Sequence, residues 1–428
     1  MNDLFGPRDA APDREDPAAD PAAAWGRLSR VLPRLARRHG GGDADGEGLS
    51  GTAQGPAYVN APVERGSTVL YESMDEMRGR SAGRYSHQLI YGAMGGPNQF
   101  ALEEAIAAIE GGTHCQVVPS GLAACTTALL TFLGAGGHCL MPDSVYGPTR
   151  RFCDTILKRM GVETTYYDPL IDETGLEELM RPTTQVVFAE SPGSHSFEVQ
   201  DVPMLARVAH AQGAKLLMDN TWGIHVFQPF RHGVDVSIQA LTKYPSGHAD
   251  VVLGAITVRD ETDWRVLRDA AVNLGLHGAP DDCWLVLRGL RTLGVRMERQ
   301  TRTALEVARW LQDREEVARV LHPALSGCPG HAHWRRDFEG ASSLFGVLFR
   351  PEFRASCVED MVAALGAFGL GASWGGWESL ALPSSGLTTR DHRRIVEGPG
   401  LRLHIGLEDP ADLIADLEGG LAVLRAAC

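Results

Sequence analysis

KLLMDNTW (215–222) and, a short way on, SIQALTKYPSGHAD (237–250) decide the fold. The first is a short apolar strand that runs out into Asp219, Asn220 and Thr221, so a carboxylate sits at a strand end. The second carries Lys243, one of only three lysines in 428 residues, with Lys158 and Lys215. Of the three, only Lys243 lies in a segment that reads as a binding site. A strand-end Asp followed by such a Lys is the pattern of a pyridoxal-phosphate (PLP) site. That cofactor needs an amine to carry it and an anion beside its pyridine nitrogen, so that the ring can accept electrons. The plain alternatives are a surface lysine and an Asp that only caps a turn.

Upstream, CQVVPSGLAACTTALLTFLGAGG (115–137) reads as strand, tight turn, helix and Gly stop. Ser120 and Gly121 open the helix, where free backbone N–H groups and the helix dipole favour a phosphate. Tyr146, in LMPDSVYGPT (140–149), follows the next strand and offers a ring to stack on a cofactor; a half-buried loop tyrosine is the alternative. Around these motifs helices and apolar strands alternate from 101 to about 260. ALEEAIAAIEGG and PTRRFCDTILKRMG are helical, HCLMP and QVVFAES strand-like, and MLARVAHAQG leads into KLLMDN. Such βαβ units imply an α/β protein with a mainly parallel sheet and ligands at the strands' C-terminal ends. After about 290, SSLFGVLFR and LRLHIGL read as strands. DPADLIADLEGGLAVLRAA reads as a final helix with Asp409 as N-cap and Pro410 in its first turn.

The chain resembles the Cys/Met-metabolism family of PLP enzymes from about residue 56 to the end. The matching stretches are FAESPGS (188–194), MDNTWG (218–223), DVSIQALTKY (235–244), RGLRTLGVR (288–296), SWGGWESL (373–380) and LRLHIGLED (401–409). Trp374, where γ-lyases and γ-synthases usually carry Leu, and Gln239-Ala240-Leu241, where they are Ser-rich, point to the β-lyase branch. The resemblance implies a fold-type I PLP enzyme with a smaller C-terminal α/β domain. The implied division is a tail at 1–55, an arm to the neighbouring subunit at 56–100, a PLP domain at 101–289 and a C-terminal domain at 290–428.

The same resemblance implies roles for residues. Lys243 would carry PLP and move protons, Asp219 face the pyridine nitrogen, and Tyr146 lie over the ring and assist proton transfer. Gly121 and Leu122 would give phosphate-binding amides, and Thr242 a hydroxyl nearby. Arg402 would grip the substrate α-carboxylate, and Ser373 and Trp374 belong to the segment that closes over the amino acid. Tyr91 would bind the phosphate of a neighbouring subunit, in a homo-oligomer built as a dimer of dimers. The implied reaction is β-elimination from cystathionine or another cysteine S-conjugate. A β- or γ-replacement transferase and a non-catalytic regulatory relative are the other readings.

The chain departs from the family after Tyr91, where Arg and Thr-Pro usually follow; here stand Ala93 and Gly96-Pro97. A lost guanidinium removes a charge-assisted hydrogen bond, worth roughly 1.5 to 3 kcal/mol. Three explanations are open: Arg80 or Arg84 supplies the charge, PLP affinity is lower, or the pocket mouth is reshaped for another substrate; the last two are favoured, and Trp284, standing where the family has a tyrosine near the pocket mouth, also points to a different pocket.

Composition sets outer bounds. A net charge of −14 argues against a nucleic-acid or anionic-membrane partner. No signal-peptide core or long apolar span is present, so a soluble cytoplasmic protein is expected. Its eight cysteines form no CxxC pair and read as reduced core thiols. His331 and His333 in GHAHWRRD lack further ligands at metal spacing, so no metal site is expected. Residues 1–55 lack a sustained apolar run and read as a mostly disordered tail, within which Trp25, Leu28, Leu32 and Leu35 recur at helical spacing around Pro33, as in a short, partly ordered amphipathic helix.

Overall fold

The computed structural model describes residues 26–29, 31, 59–384 and 398–428. A seven-stranded sheet has the order β1-β7-β6-β5-β4-β2-β3. Its strands are β1 (His114–Val118), β2 (His138–Pro142), β3 (Glu163–Tyr167), β4 (Thr184–Glu190), β5 (Lys215–Asp219), β6 (Val236–Ala240) and β7 (Gly254–Val258). All are parallel except β7, which runs antiparallel to both its neighbours. The reason is local. β6 and β7 are joined not by a crossover helix but by the loop 241–253, so the chain returns beside its own strand. Lys243 sits in that loop.

Helices cover both faces of the sheet, which is why its strands read as apolar runs and not as alternating patterns. Leu140, Val187, Leu216 and Met218 face one cluster with the helix Val202–Ala211. Cys139, Val186, Phe188 and Leu217 face the other with helix α1 (Gly121–Phe132). A second sheet, ordered β10-β11-β12-β9-β8, contains β8 (Val317–Leu321), β9 (Leu344–Phe349), β10 (Gly369–Leu370), β11 (Leu380–Pro383) and β12 (Gly400–His404). Phe345, Val347, Leu401 and Leu403 pack there on Leu413, Leu417 and Leu421 of helix α2 (Pro410–Ala427). Asp409 caps α2, accepting from the Ala411 N–H at 2.9 Å. β12 is internal, between β11 and β9, so Arg402 is no edge-strand surface charge.

One expectation changes. Cys357 and Cys428 form a disulfide, while the other six cysteines are free and buried. The pair is 71 residues apart in sequence and meets because α2 packs along the helix Ala355–Ala363, bringing the two Cα atoms to 6.1 Å. The N-terminal region also touches the body. Gly26–Ser29 is helical, Leu28 and Val31 are buried in the cluster holding Leu241 and Tyr244, and Arg27 donates to the His225 carbonyl at 2.7 Å. Trp25, Leu32 and Leu35 lie outside the described residues. Among the described residues, no helix is long and apolar enough to cross a membrane.

Candidate active site

A cavity of about 270 Å³ opens at the C-terminal ends of three adjacent parallel strands. Their last residues, Glu190, Asp219 and Ala240, all line it. Parallel strands deliver their ends to one edge of the sheet, so residues far apart in sequence meet there. The second sheet, through Leu344 and Arg402, and the segment between β10 and β11, through Ala372 and Trp374, also line the cavity.

Helix α1 brings its N-terminus to the cavity. Ser120 caps it: its Oγ accepts from Ala123 N at 3.0 Å and its carbonyl from Ala124 N at 3.0 Å. The Gly121 and Leu122 N–H groups have no partner among the described residues, and both residues line the cavity. Two free donors at a helix start are a ready anion site. Glycine is required at 121 by close approach, since a Cβ there would lie 2.5 Å from the Ala240 Cβ. Gly121→Val is therefore expected to raise the dissociation constant for PLP by about ten-fold or more, measured by absorbance titration; unchanged affinity would remove this anion site.

Asp219 lines the same cavity. Its Oδ1 accepts from Thr221 Oγ at 2.6 Å and Thr221 N at 3.0 Å. Burial pushes the Asp219 carboxyl up, while Thr221 and Lys243 pull it back down. The loop behind it hangs on buried Glu110, whose Oε1 accepts from Asn220 at 3.0 Å, Ser237 at 2.9 Å and Gln239 at 2.6 Å. Lys243 Nζ donates to Ser373 Oγ at 2.6 Å and lies 5.3 Å from the Trp374 ring centre. Burial, helped by the Arg402 charge, lowers the ammonium to about 8, against a smaller opposing effect of Asp219.

A half-buried amine of lowered basicity, a carboxylate at a strand end and two free amides at a helix start share this one cavity. This donor set fits PLP. The model of the Cys/Met metabolism PLP-dependent enzyme family matches residues 50–422.

The chain belongs to that family.

It is 49% identical over 373 residues to a putative cystathionine beta-lyase of Rhizobium johnstonii, covering 86% of this chain and 92% of that one. It is 39% identical to cystathionine beta-lyase MetC of Escherichia coli, over 85% and 93% of the two chains. Among solved structures, the cystathionine gamma synthase of Xanthomonas oryzae pv. oryzae, in complex with aminoacrylate and cysteine, superposes with a TM-score of 0.82 at 27% identity, covering 94% and 99%. The protein is thus a fold-type I, PLP-dependent member of the Cys/Met-metabolism family.

The remaining family positions fall in different places. Arg402 is 7% exposed, and its Nη2 donates to the Ala372 and Ser373 carbonyls at 2.6 and 3.2 Å. Burial lowers it to about 10. Tyr146 lines the cavity, 43% exposed, and its backbone N–H donates to Glu190 at 2.8 Å. Thr242 also lines it, but its hydroxyl is held by the Leu253 backbone, donating at 3.2 Å and accepting at 3.0 Å. Tyr91, 52% exposed, does not line this chain's own cavity. Neither does Trp284, which fixes the N-terminal arm by donating to the Ala61 carbonyl at 2.7 Å. Arg80 and Arg84 each have a carboxylate partner within the chain, Glu76 and Asp269. His331 and His333 engage the Pro323 carbonyl and Asp201, and no metal-binding group occurs among the described residues.

Sequence reasoning missed three contributors. Glu190 is paired with Asp219 across β4 and β5, and burial followed by the Asp219 charge holds its carboxyl well above the usual range. His404 Nε2 accepts from Gly375 N at 3.1 Å, while its Nδ1 meets Ser343 Oγ at 3.2 Å, beside the Tyr244 hydroxyl. These hydrogen bonds hold the segment Ser373–Gly376 against the lysine loop, where a Cβ on Gly375 would come within 2.8 Å of the Lys243 backbone. Arg402 and His404 stand two apart on one strand and so share a face, a period-two signal that could have flagged His404. The third, His195, lines the cavity.

Proposed function

We propose that the enzyme is a carbon–sulfur β-lyase that cleaves L-cystathionine, or a related cysteine S-conjugate, to a thiol, pyruvate and ammonia; cystathionine would yield homocysteine. One observation carries the reading. A half-buried amine lowered to about 8 and a buried guanidinium line a single cavity, each tied to the segment Ala372–Ser373. The relatives named as cystathionine beta-lyases support elimination as the outcome.

In this reading Lys243 and Asp219 would hold PLP, the free Gly121 and Leu122 amides would receive its phosphate, Thr242 would reach the phosphate only by releasing the Leu253 carbonyl, and Tyr146 would lie over the ring. PLP, when bound, supplies an electron sink for negative charge developing at the substrate Cα. Arg402 binds the substrate α-carboxylate, and a planar guanidinium fixes the orientation of the Cα–H bond through parallel hydrogen bonds. Lys243 Nζ takes the Cα proton: lowering the amine from 10.5 to about 8 gives it a usable neutral fraction near physiological pH, although the ammonium is still the major form there. The Cα–H electron pair becomes a Cα–Cβ double bond as the Cβ–S bond breaks. The departing thiolate takes a proton from Lys243 or the Tyr146 hydroxyl. Ser373 steers the amine, and Trp374 shields it from water. Water then converts the three-carbon remnant to pyruvate and ammonia.

Quaternary structure belongs to the same proposal. Val59, Leu70, Met74, Met77 and Tyr91 are exposed along the N-terminal arm, and its helix Met74–Ala82 buries no residue. We read the arm, about 56–100, as covering a second copy and delivering Tyr91 to that copy's phosphate site, in a cytoplasmic homotetramer. The PLP domain would span 101–289 and the C-terminal domain 290–428.

The test is to incubate the holoenzyme with L-cystathionine and assay pyruvate and free thiol together. Equimolar release is expected. A substituted amino acid without pyruvate would replace the proposal with a β- or γ-replacement reaction, and no product of either kind would favour a non-catalytic relative.

A further inference from the structure

His195 occupies a backbone conformation that few side chains tolerate. Its φ is 62°, and Phe197, two residues on, has φ 56°. Left-handed backbone at a non-glycine residue is retained where the surroundings enforce it, and such positions cluster at functional sites. Here the enforcement is visible. Gly193 N donates to the Glu198 carbonyl at 2.9 Å, Ser194 N to the Ser144 carbonyl at 2.9 Å and Phe197 N to the Gly193 carbonyl at 3.0 Å. Phe197 is 1% exposed and lies against Gly346, where a Cβ would approach its ring to 3.1 Å. The loop therefore presents one imidazole to the cavity in a fixed pose.

That imidazole has no partner. Nδ1 is sealed from solvent without a hydrogen bond, and Nε2 is the nitrogen left accessible to a ligand, with no partner among the described residues. The ionisable side chains Glu190, Asp219 and Lys243 that line the cavity are each engaged, with Tyr146 N, Thr221 and Ser373. Arg402 spends Nη2 on the Ala372 and Ser373 carbonyls, which leaves fewer guanidinium N–H groups for a ligand. Burial, with the Arg402 charge second, lowers His195 to about 4, so it shares the cavity with the guanidinium as a neutral N–H donor. Charge from one side chain and a neutral donor from another is a combination suited to a carboxylate.

We propose that His195 is a positioning residue for the substrate, its Nε2–H donating a hydrogen bond to the carboxylate that Arg402 holds. The proposal rests on the reading of Arg402 as the carboxylate anchor. It is tested with L-alanine, which has no leaving group, and L-alaninamide, which has no carboxylate, each titrated into the holoenzyme by cofactor absorbance. His195→Gly suits the left-handed backbone, so its melting temperature should be retained. Its Kd for L-alanine is expected to rise about ten-fold or more, with L-alaninamide unchanged. The KM for L-cystathionine should rise while kcat changes less. His195→Asn, which also tolerates this backbone and keeps an amide donor, should recover part of the loss. Unchanged L-alanine binding in His195→Gly alone overturns the role of His195. Unchanged binding in both His195→Gly and Arg402→Ala removes the carboxylate anchor and the proposal with it.

Discussion

Lys243→Ala is expected to lower kcat by about 10⁴-fold and to abolish the visible absorbance of lysine-bound cofactor. Lys158 and Lys215 cannot take its place: neither lines the cavity, and Lys215 is paired with Asp263 at 2.8 Å. The lysine's environment also sets a pH dependence. Its ordinary value of 10.5 is lowered to about 8, chiefly by burial. The neutral, nucleophilic amine is the minor form below that value and the major form above it. Capture of PLP by apoenzyme should therefore accelerate between pH 6 and 9 and level off beyond, by stopped-flow absorbance. A rate that is flat or falls over this range would contradict the assigned environment, and residual turnover in Lys243→Ala near that of the wild type would remove the lysine from the mechanism.

The second large effect is expected at Arg402. Truncating one partner of a buried, charge-assisted pair costs about 2–5 kcal/mol, which is about 30- to 4,000-fold in kcat/KM. Arg402→Ala should show that loss, and in both parameters. KM rises because the carboxylate loses its anchor. Loss of kcat follows because the Ala372 and Ser373 carbonyls lose their donor, loosening the segment whose Ser373 Oγ holds Lys243 at 2.6 Å. Arg402→Lys keeps the charge without the planar fork and should recover KM less than fully. Wild-type kcat/KM in Arg402→Ala would place the carboxylate elsewhere.

Much of the site was legible in local sequence because its parts end regular elements. Asp219 is the last residue of an apolar strand, Ser120 and Gly121 open a helix, and Asp409 caps one. These are short-range signals, carried by hydrophobic runs and capping chemistry. The role of Arg402, by contrast, came only through resemblance, since a strand residue with charge is otherwise unremarkable. Trp284 was expected near the pocket mouth and instead holds the arm through Ala61, because only the folded path of residues 59–66 shows what its indole meets.

What the sequence by itself determined is the α/β alternation, the strand-end carboxylate, the singular lysine and the family. Each depends on residues within one element or on motif order along the chain. What only the tertiary structure decided is the company those residues keep. Glu190 beside Asp219, His404 clamping the Gly375 segment, the Cys357–Cys428 pairing and the strained His195 loop all join residues from separate elements. A strand's period tells which way a side chain points but not what stands opposite. Burial and neighbouring charge, which lower Lys243 to about 8 and keep His195 neutral, exist only once the two sheets close on each other.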